Sequence, residues 1–139
     1  MTPRGIRGRN PGNIRHGSDW QGLAAEQPDP SFCTFVSPEY GIRAIARILQ
    51  NYQDKHGLRT PTAIISRWAP PNENDTTAYV DSVCSACGWP VDAALDMHRW
   101  SDLRPMVLAI IRHENGQQPY PDDVIDAGLR LAGVEMETV

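Results

Sequence analysis

The sequence predicts a single, mainly α-helical domain with one small β hairpin flap, and three observations carry that reading. Several stretches with apolar residues at helical spacing open on a cap-and-proline signal and close on glycine. One run, Met106–Ile111, is apolar on every side, as suits a helix buried all round. Between Asn13 and Phe35 the apolar anchors Ile14, Trp20, Leu23, Phe32 and Phe35 are instead separated by the turn formers HGSD and EQPDPS, which suits short strands.

In chain order, Met1–Gly12 (MTPRGIRGRNPG) is rich in Gly, Pro and Arg and is expected to form a flexible basic arm, leaving 13–139 as one globular domain. The hairpin region follows and, being too short to stand alone, must lie on the helices. Ser37-Pro38-Glu39 opens the first helix, with Ile42, Ile45, Ile48, Leu49 and Tyr52 facing inward and Arg43, Arg47 and Gln50 outward, and His56-Gly57 ends it. Thr60-Pro61 opens a second, with Ile64, Ile65 and Trp68 inward. Asn74 or Asp75 caps a third, Thr76–Ala86, closed by Gly88, and Pro90–Met97 suits a short fourth. In Pro105–Gly116 (PMVLAIIRHENG) the proline suits a first turn and the glycine a stop. Pro121–Leu131 closes the chain as an amphipathic helix through Val124, Ile125, Leu129 and Leu131.

The 139 residues suit one domain, with enough chain for a core without staples. Net charge is −4, yet the first fifteen residues hold Arg4, Arg7, Arg9 and Arg15 and no acid, while the stretch from Asp122 carries five acids against Arg130 alone. Such asymmetry suits an arm that touches an anionic partner. Arginines without aromatic interleaving, in an acidic chain, speak against nucleic acid. No apolar run approaches 18 residues and the N-terminus lacks a signal peptide, so the expectation is a chain made in a bacterial cytoplasm, without membrane insertion. The three cysteines, Cys33, Cys84 and Cys87, are odd in number, which argues against a disulfide framework. Zinc at Cys84-x-x-Cys87 would need two further ligands, so core thiols are expected, with no metal or cofactor.

The chemistry on offer is carboxylate chemistry. No nucleophile elbow, zinc-protease helix or phosphate-binding loop is present. Glu114 lies four residues beyond Ile110 and seven beyond Val107, so it continues the inward stripe of the central helix. Desolvation and the negative helix terminus would both raise its pKa, the condition for a general acid. Other acids in polar, turn-rich settings are Asp19, Glu26, Glu39 and Glu73, the last also suited to capping a helix. Trp20, Tyr40, Trp68, Tyr79 and Tyr120 lie near these segments. Aromatic faces beside carboxylates and asparagines suit a carbohydrate groove, although Trp68 and Tyr79 suit the core equally.

RGIRGRNPGNIR, W-x-G at Trp20–Gly22, FVSPEYGIRAIARILQNY, WAPPNENDTTAYV and HENG together resemble a group of small bacteriophage and prophage virion-associated proteins, over Arg4 to about Gly128. A more distant similarity joins Asn10-x-x-Asn13-Ile14, W-x-G, Phe32-x-x-Phe35 and a helix ending at Tyr52 to the hairpin and following helix of glucosaminidase and lysozyme-like peptidoglycan hydrolases. In those, a catalytic glutamate ends a helix just before the hairpin. Here the resemblance implies a circularly rearranged lysozyme-like domain, the Glu114 helix standing in that place from the far end of the chain. It further implies a phage or prophage enzyme that cuts peptidoglycan glycan strands, at the periplasmic wall or carried in the virion. Glu114 would be the acid and Asp19 the group that activates water or stabilises the oxocarbenium-like state, unless the substrate's own groups complete a transglycosylase-type reaction, with Asn13, Trp20, Glu73, Asn74 and Tyr79 lining the groove. The alternative is a non-enzymatic virion protein that binds a neighbouring subunit through the arginine arm.

Overall fold

The computed structural model describes residues 2–137; positions 1, 138 and 139, assigned above to the arm and the domain, lie outside the described residues. Six helices are present among them: α1 (Arg4–Arg7), α2 (Pro38–His56), α3 (Pro61–Trp68), α4 (Thr76–Cys87), α5 (Trp100–Asn115) and α6 (Asp122–Leu131). None is long and apolar enough to cross a membrane. The core is mainly helical, with Ile14, Cys33, Phe35, Leu95 and Met97 added from the segments between helices. α5 sits at its centre, touching α1, α2, α4 and α6, while α2 packs most extensively on α6 and α3 leans on α4.

Local signals set most boundaries. The Thr60 side chain accepts from Ala63 N–H and Asp75 from Ala78 N–H, each satisfying a donor that the first turn leaves orphaned. Prolines occupy the first positions of α2 and α3, and Gly57, Gly88 and Gly116 stop α2, α4 and α5 in the left-handed conformation that glycine adopts at least cost. Met106, Val107, Ala109, Ile110 and Ile111 are buried, while Leu108 is only partly so, which leaves one side of the apolar run uncovered.

Four local expectations are corrected. The central helix begins at Trp100, so Pro105 stands inside it; packing of Trp100 and Leu103 into the core extends the helix past a residue that contributes no N–H. Pro90–Met97 is not helical: Thr62 N–H donates to Val91 O and Leu95 N–H to Arg59 O, so the segment braces the α2–α3 corner and buries Leu95 and Met97. Gln50, read as outward, is fully buried; its carboxamide reaches the Met97 and Ala132 carbonyls and accepts from Arg47. Leu131, read as inward, is 43% exposed because α6 ends there.

Two expectations about larger segments also change. The flap contains no strand among the described residues, only isolated antiparallel bridges at Arg15 with Phe32 and Leu23 with Phe35. Pro28 and Pro30 cannot donate to a ladder, and Gly17 and Gly22 turn the chain through positive φ between the paired points. The arm is not free either. Its first turn is α1, and Gly5, Asn10, Pro11 and Gly12 are buried against the globule. Asn10, 1% exposed, explains why: its carboxamide accepts from Ile14 N–H and donates to the Ile14 and Cys33 carbonyls, pinning arm to flap.

Candidate functional site

α5 delivers Glu114 to the wall of an open cavity of about 290 Å³, where the loop after α1, the end of α3 and the turn before α4 converge. Three donors from three segments hold its carboxylate. Asn13 Nδ2 donates to Oε1 at 3.1 Å, Tyr79 Oη donates to Oε2 at 2.8 Å, and Trp68 Nε1 lies 3.4 Å from the same oxygen. Asn13 also lies 3.4 Å from the Glu114 carbonyl, an orphan acceptor at the helix end. Holding one carboxylate by three separately anchored groups restricts it to one orientation, facing the cavity.

Each holder has a local reason to be there. Asn13 adopts φ 50, a left-handed conformation that asparagine tolerates better than most residues, and this turns its side chain toward α5. Next along α5, Asn115 is buried and donates to the Pro11 and Ile111 carbonyls. NPGN and HEN, about a hundred residues apart, are thus two halves of one contact. Gly5 makes their approach possible: a Cβ there would come within 2.5 Å of Asn13 Oδ1 and 2.7 Å of Asn115 Oδ1. Tyr79 lies on the buried face of α4, one turn beyond the Asp75 cap, and stacks on His113 with ring centroids 3.6 Å apart. Burial and then the Glu114 charge push its phenol far above the ordinary value, so it stays a donor.

Of the residues singled out from sequence, Asn13, Trp68, Glu73, Asn74 and Glu114 line one cavity. Tyr79, 1% exposed, stands behind Glu114 rather than on the groove surface. Asp19 and Trp20 do not line the cavity. Asp19 lies in an exposed run, 15–19, at the outer edge of the flap, while Trp20 packs against the core. Glu26 and Glu39 lie outside it as well. Glu73 is therefore the second acid of the cavity. The turn that carries it is closed by Glu73 N–H and Asn74 Nδ2, both donating to Pro70 O.

Residues missed from sequence complete the walls. Ile48 and Tyr52, one turn apart at the margin of the buried α2 stripe, are only partly covered, so their faces open on the cavity; Phe32 and Arg15 enter from the flap. Their spacing looked like core because a stripe does not announce where burial stops. The cysteines are free: Cys33 and Cys84 are buried and Cys87 partly so, burial raising all three thiols.

No family model matches the chain. Protein P5 of Pseudoalteromonas phage PM2 is 43% identical over 130 residues, covering 90% of this chain and 79% of that protein. Similarity of this extent makes the chain a phage-related protein. It belongs to the family of protein P5 of phage PM2.

Proposed function

We propose that this protein is a phage peptidoglycan hydrolase that cuts the glycan strand between aminosugars, a lysozyme-like domain in circularly rearranged order. The observation that supports it is the Glu114 carboxylate, closing a buried helix and held on the wall of a cavity that also carries Glu73 and Asn74. A volume of about 290 Å³ sits at the lower end of ligand sites. Glu114 protonates the leaving glycosidic oxygen as the carbon–oxygen bond breaks. Glu73, in the role the sequence suggested for Asp19, takes a proton from the water that attacks the oxocarbenium-like carbon. Where no water is admitted, a hydroxyl of the substrate attacks instead, the transglycosylase outcome. Asn13, expected from sequence to meet the sugar, is taken up in holding Glu114; Asn74 offers its carboxamide oxygen to sugar hydroxyls, and Tyr52 and Trp68 offer aromatic surface.

The test is turnover on purified peptidoglycan with mass spectrometry of the released fragments. Glu114→Gln is expected to lower turnover by roughly 100-fold or more, the usual worth of a positioned acid. Its melting temperature should fall by no more than a few degrees: the isostere keeps an acceptor for Asn13 and Tyr79 can accept from its new amide, while the long Trp68 contact is lost. Glu73→Gln should also lower turnover, and Asp19→Asn should not. Full activity in Glu114→Gln would overturn the assignment. A wild type that releases no glycan fragments would favour the second reading, a non-enzymatic virion protein binding a neighbouring subunit. That reading draws on the exposed Val36 and Leu131 beside a shallow surface cleft.

A further inference from the structure

A second cleft of about 480 Å³ opens on the other side of Phe32 from Glu114, lined by Arg4, Arg7, Arg9 and the Pro28–Pro30 turn. Phe32 is a wall of both spaces, so the two are neighbours rather than separate sites. Their charge is uneven. Arg4 is spent on Asp29, which it grips with two nitrogens, Nη2 to Oδ1 at 2.7 Å. Arg7 and Arg9 have no carboxylate partner among the described residues and both are exposed. Arg15, also without one, sits on the cavity side of Phe32, its guanidinium 5.1 Å from the ring centre, with that of Arg4 at 4.6 Å. In a chain of net charge −4, this is a cationic strip running along one edge of the proposed glycan groove.

We infer that this cleft is an anion subsite which takes carboxylates borne on the glycan, those of the peptide stems of peptidoglycan, while the Glu114 cavity holds the sugars. The inference rests on the hydrolase reading for the identity of the glycan. Carboxylates fit better than nucleic acid. Two guanidiniums already lie over the Phe32 ring, which leaves no free aromatic face in the strip for a base to stack on. The net charge of the whole chain also opposes a phosphate polymer. Arginine suits the role, since its planar fork matches a carboxylate with two parallel bonds. The Arg7 and Arg9 guanidiniums donate no hydrogen bond among the described residues, while their backbones are fixed by N–H bonds to the Pro3 and Ile6 carbonyls, so the side chains can turn to a ligand.

The experiment is cosedimentation with purified sacculi, using the Glu114→Gln protein so that bound material is not degraded. Four probes are compared: untreated sacculi, sacculi whose carboxylates are capped as amides, sacculi stripped of phosphate polymers by acid, and duplex DNA. Arg7→Gln/Arg9→Gln is expected to weaken binding to untreated sacculi about tenfold, as two partly solvated charge pairs would. Amide capping should bring the parent protein to the same level, acid stripping should leave it unchanged, and Arg7→Lys/Arg9→Lys should restore only part of the loss, the charge without the fork. The melting temperatures of the variants should match, because neither side chain makes a contact that folding needs. Equal binding by the glutamine variant, or indifference to amide capping, overturns the inference. Loss of binding on phosphate stripping, or tighter binding to DNA, overturns it in favour of a phosphate ligand. Carboxylate-dependent binding by a wild type that releases no fragments upholds the cleft and sinks the hydrolase reading; fragment release with an unchanged KM in the glutamine variant does the reverse.

Discussion

At the scale of single residues, the site depends on how closely two asparagine motifs approach. Gly5 stands between Asn13 and Asn115, where any side chain would displace one carboxamide or the other. Gly5→Ala is therefore expected to cost about 1–3 kcal/mol, the usual penalty for forcing a methyl into a packed site. It should also loosen Asn13 from Glu114, so turnover on peptidoglycan should fall further than the stability loss accounts for. Gly8→Ala is the control: the nearest atom to a Cβ there lies at 3.4 Å, and both stability and turnover should stay near the wild type. Thermal unfolding and initial rates measure the two effects separately. If the two variants behave alike, the close approach is not what holds the site.

At the scale of elements, α6 is the clamp that closes the core over α2. Its apolar residues Ile125 and Leu129 are buried, and its Gly128 lets the helices cross at close range, a Cβ there falling 2.5 Å from Ile42 Cγ2 and 3.0 Å from the Glu39 carbonyl. Gly128→Ala gains helix propensity worth up to about 1 kcal/mol but meets backbone as well as side chain. The clash should win, with a net loss of about 1–2 kcal/mol and a melting temperature lower by several degrees. A more stable variant would show that the crossing can widen freely. Arg104 supports the same clamp from α5, donating to Asp122 and Asp126 at 2.9 Å each.

At the scale of the whole molecule, titration bounds the pH range of stability on both sides. Asp29 is held below its ordinary 3.8 by the Arg4 guanidinium and then the Ser31 N–H, and Asp96 by the Gln53 carboxamide and then the His98 N–H. In the unfolded chain both take up protons first as pH falls. Their contribution is thus present above about pH 4 and lost below it. Cys87 works in the opposite sense: burial, then nearby Cys84, raise its thiol from 9.0 to about 11. The unfolded chain ionises first as pH rises, so this contribution is intact below pH 9 and lost on the way to 11. Melting temperature against pH should show a plateau between these limits and fall on either side. Cys87→Ala should flatten the alkaline fall, and an undiminished fall in that variant would assign it to other groups such as Tyr79.

The helices were legible in the sequence because their signals are local. A cap such as Thr60 or Asp75, or a glycine stop at 57, 88 or 116, acts on backbone groups within four residues. The same locality explains why Glu114 could be picked out: its register on an all-apolar helix follows from the periodicity alone. What sequence could not decide was anything that depends on contacts between distant segments. Pro105 reads as a helix start, yet core packing of Trp100 and Leu103 carries α5 five residues further back. Gln50 reads as surface, yet carbonyls from two other segments receive it in the core. Asp19 and Glu73 are equivalent as turn-borne acids until the fold places one at the rim of the flap and the other on the cavity with Glu114. The sequence by itself determined where the helices begin to be possible and that Glu114 would close the most apolar of them. Only the tertiary structure decided its companions, because a carboxylate's holders, here Asn13, Trp68 and Tyr79, are chosen by proximity in space and not along the chain.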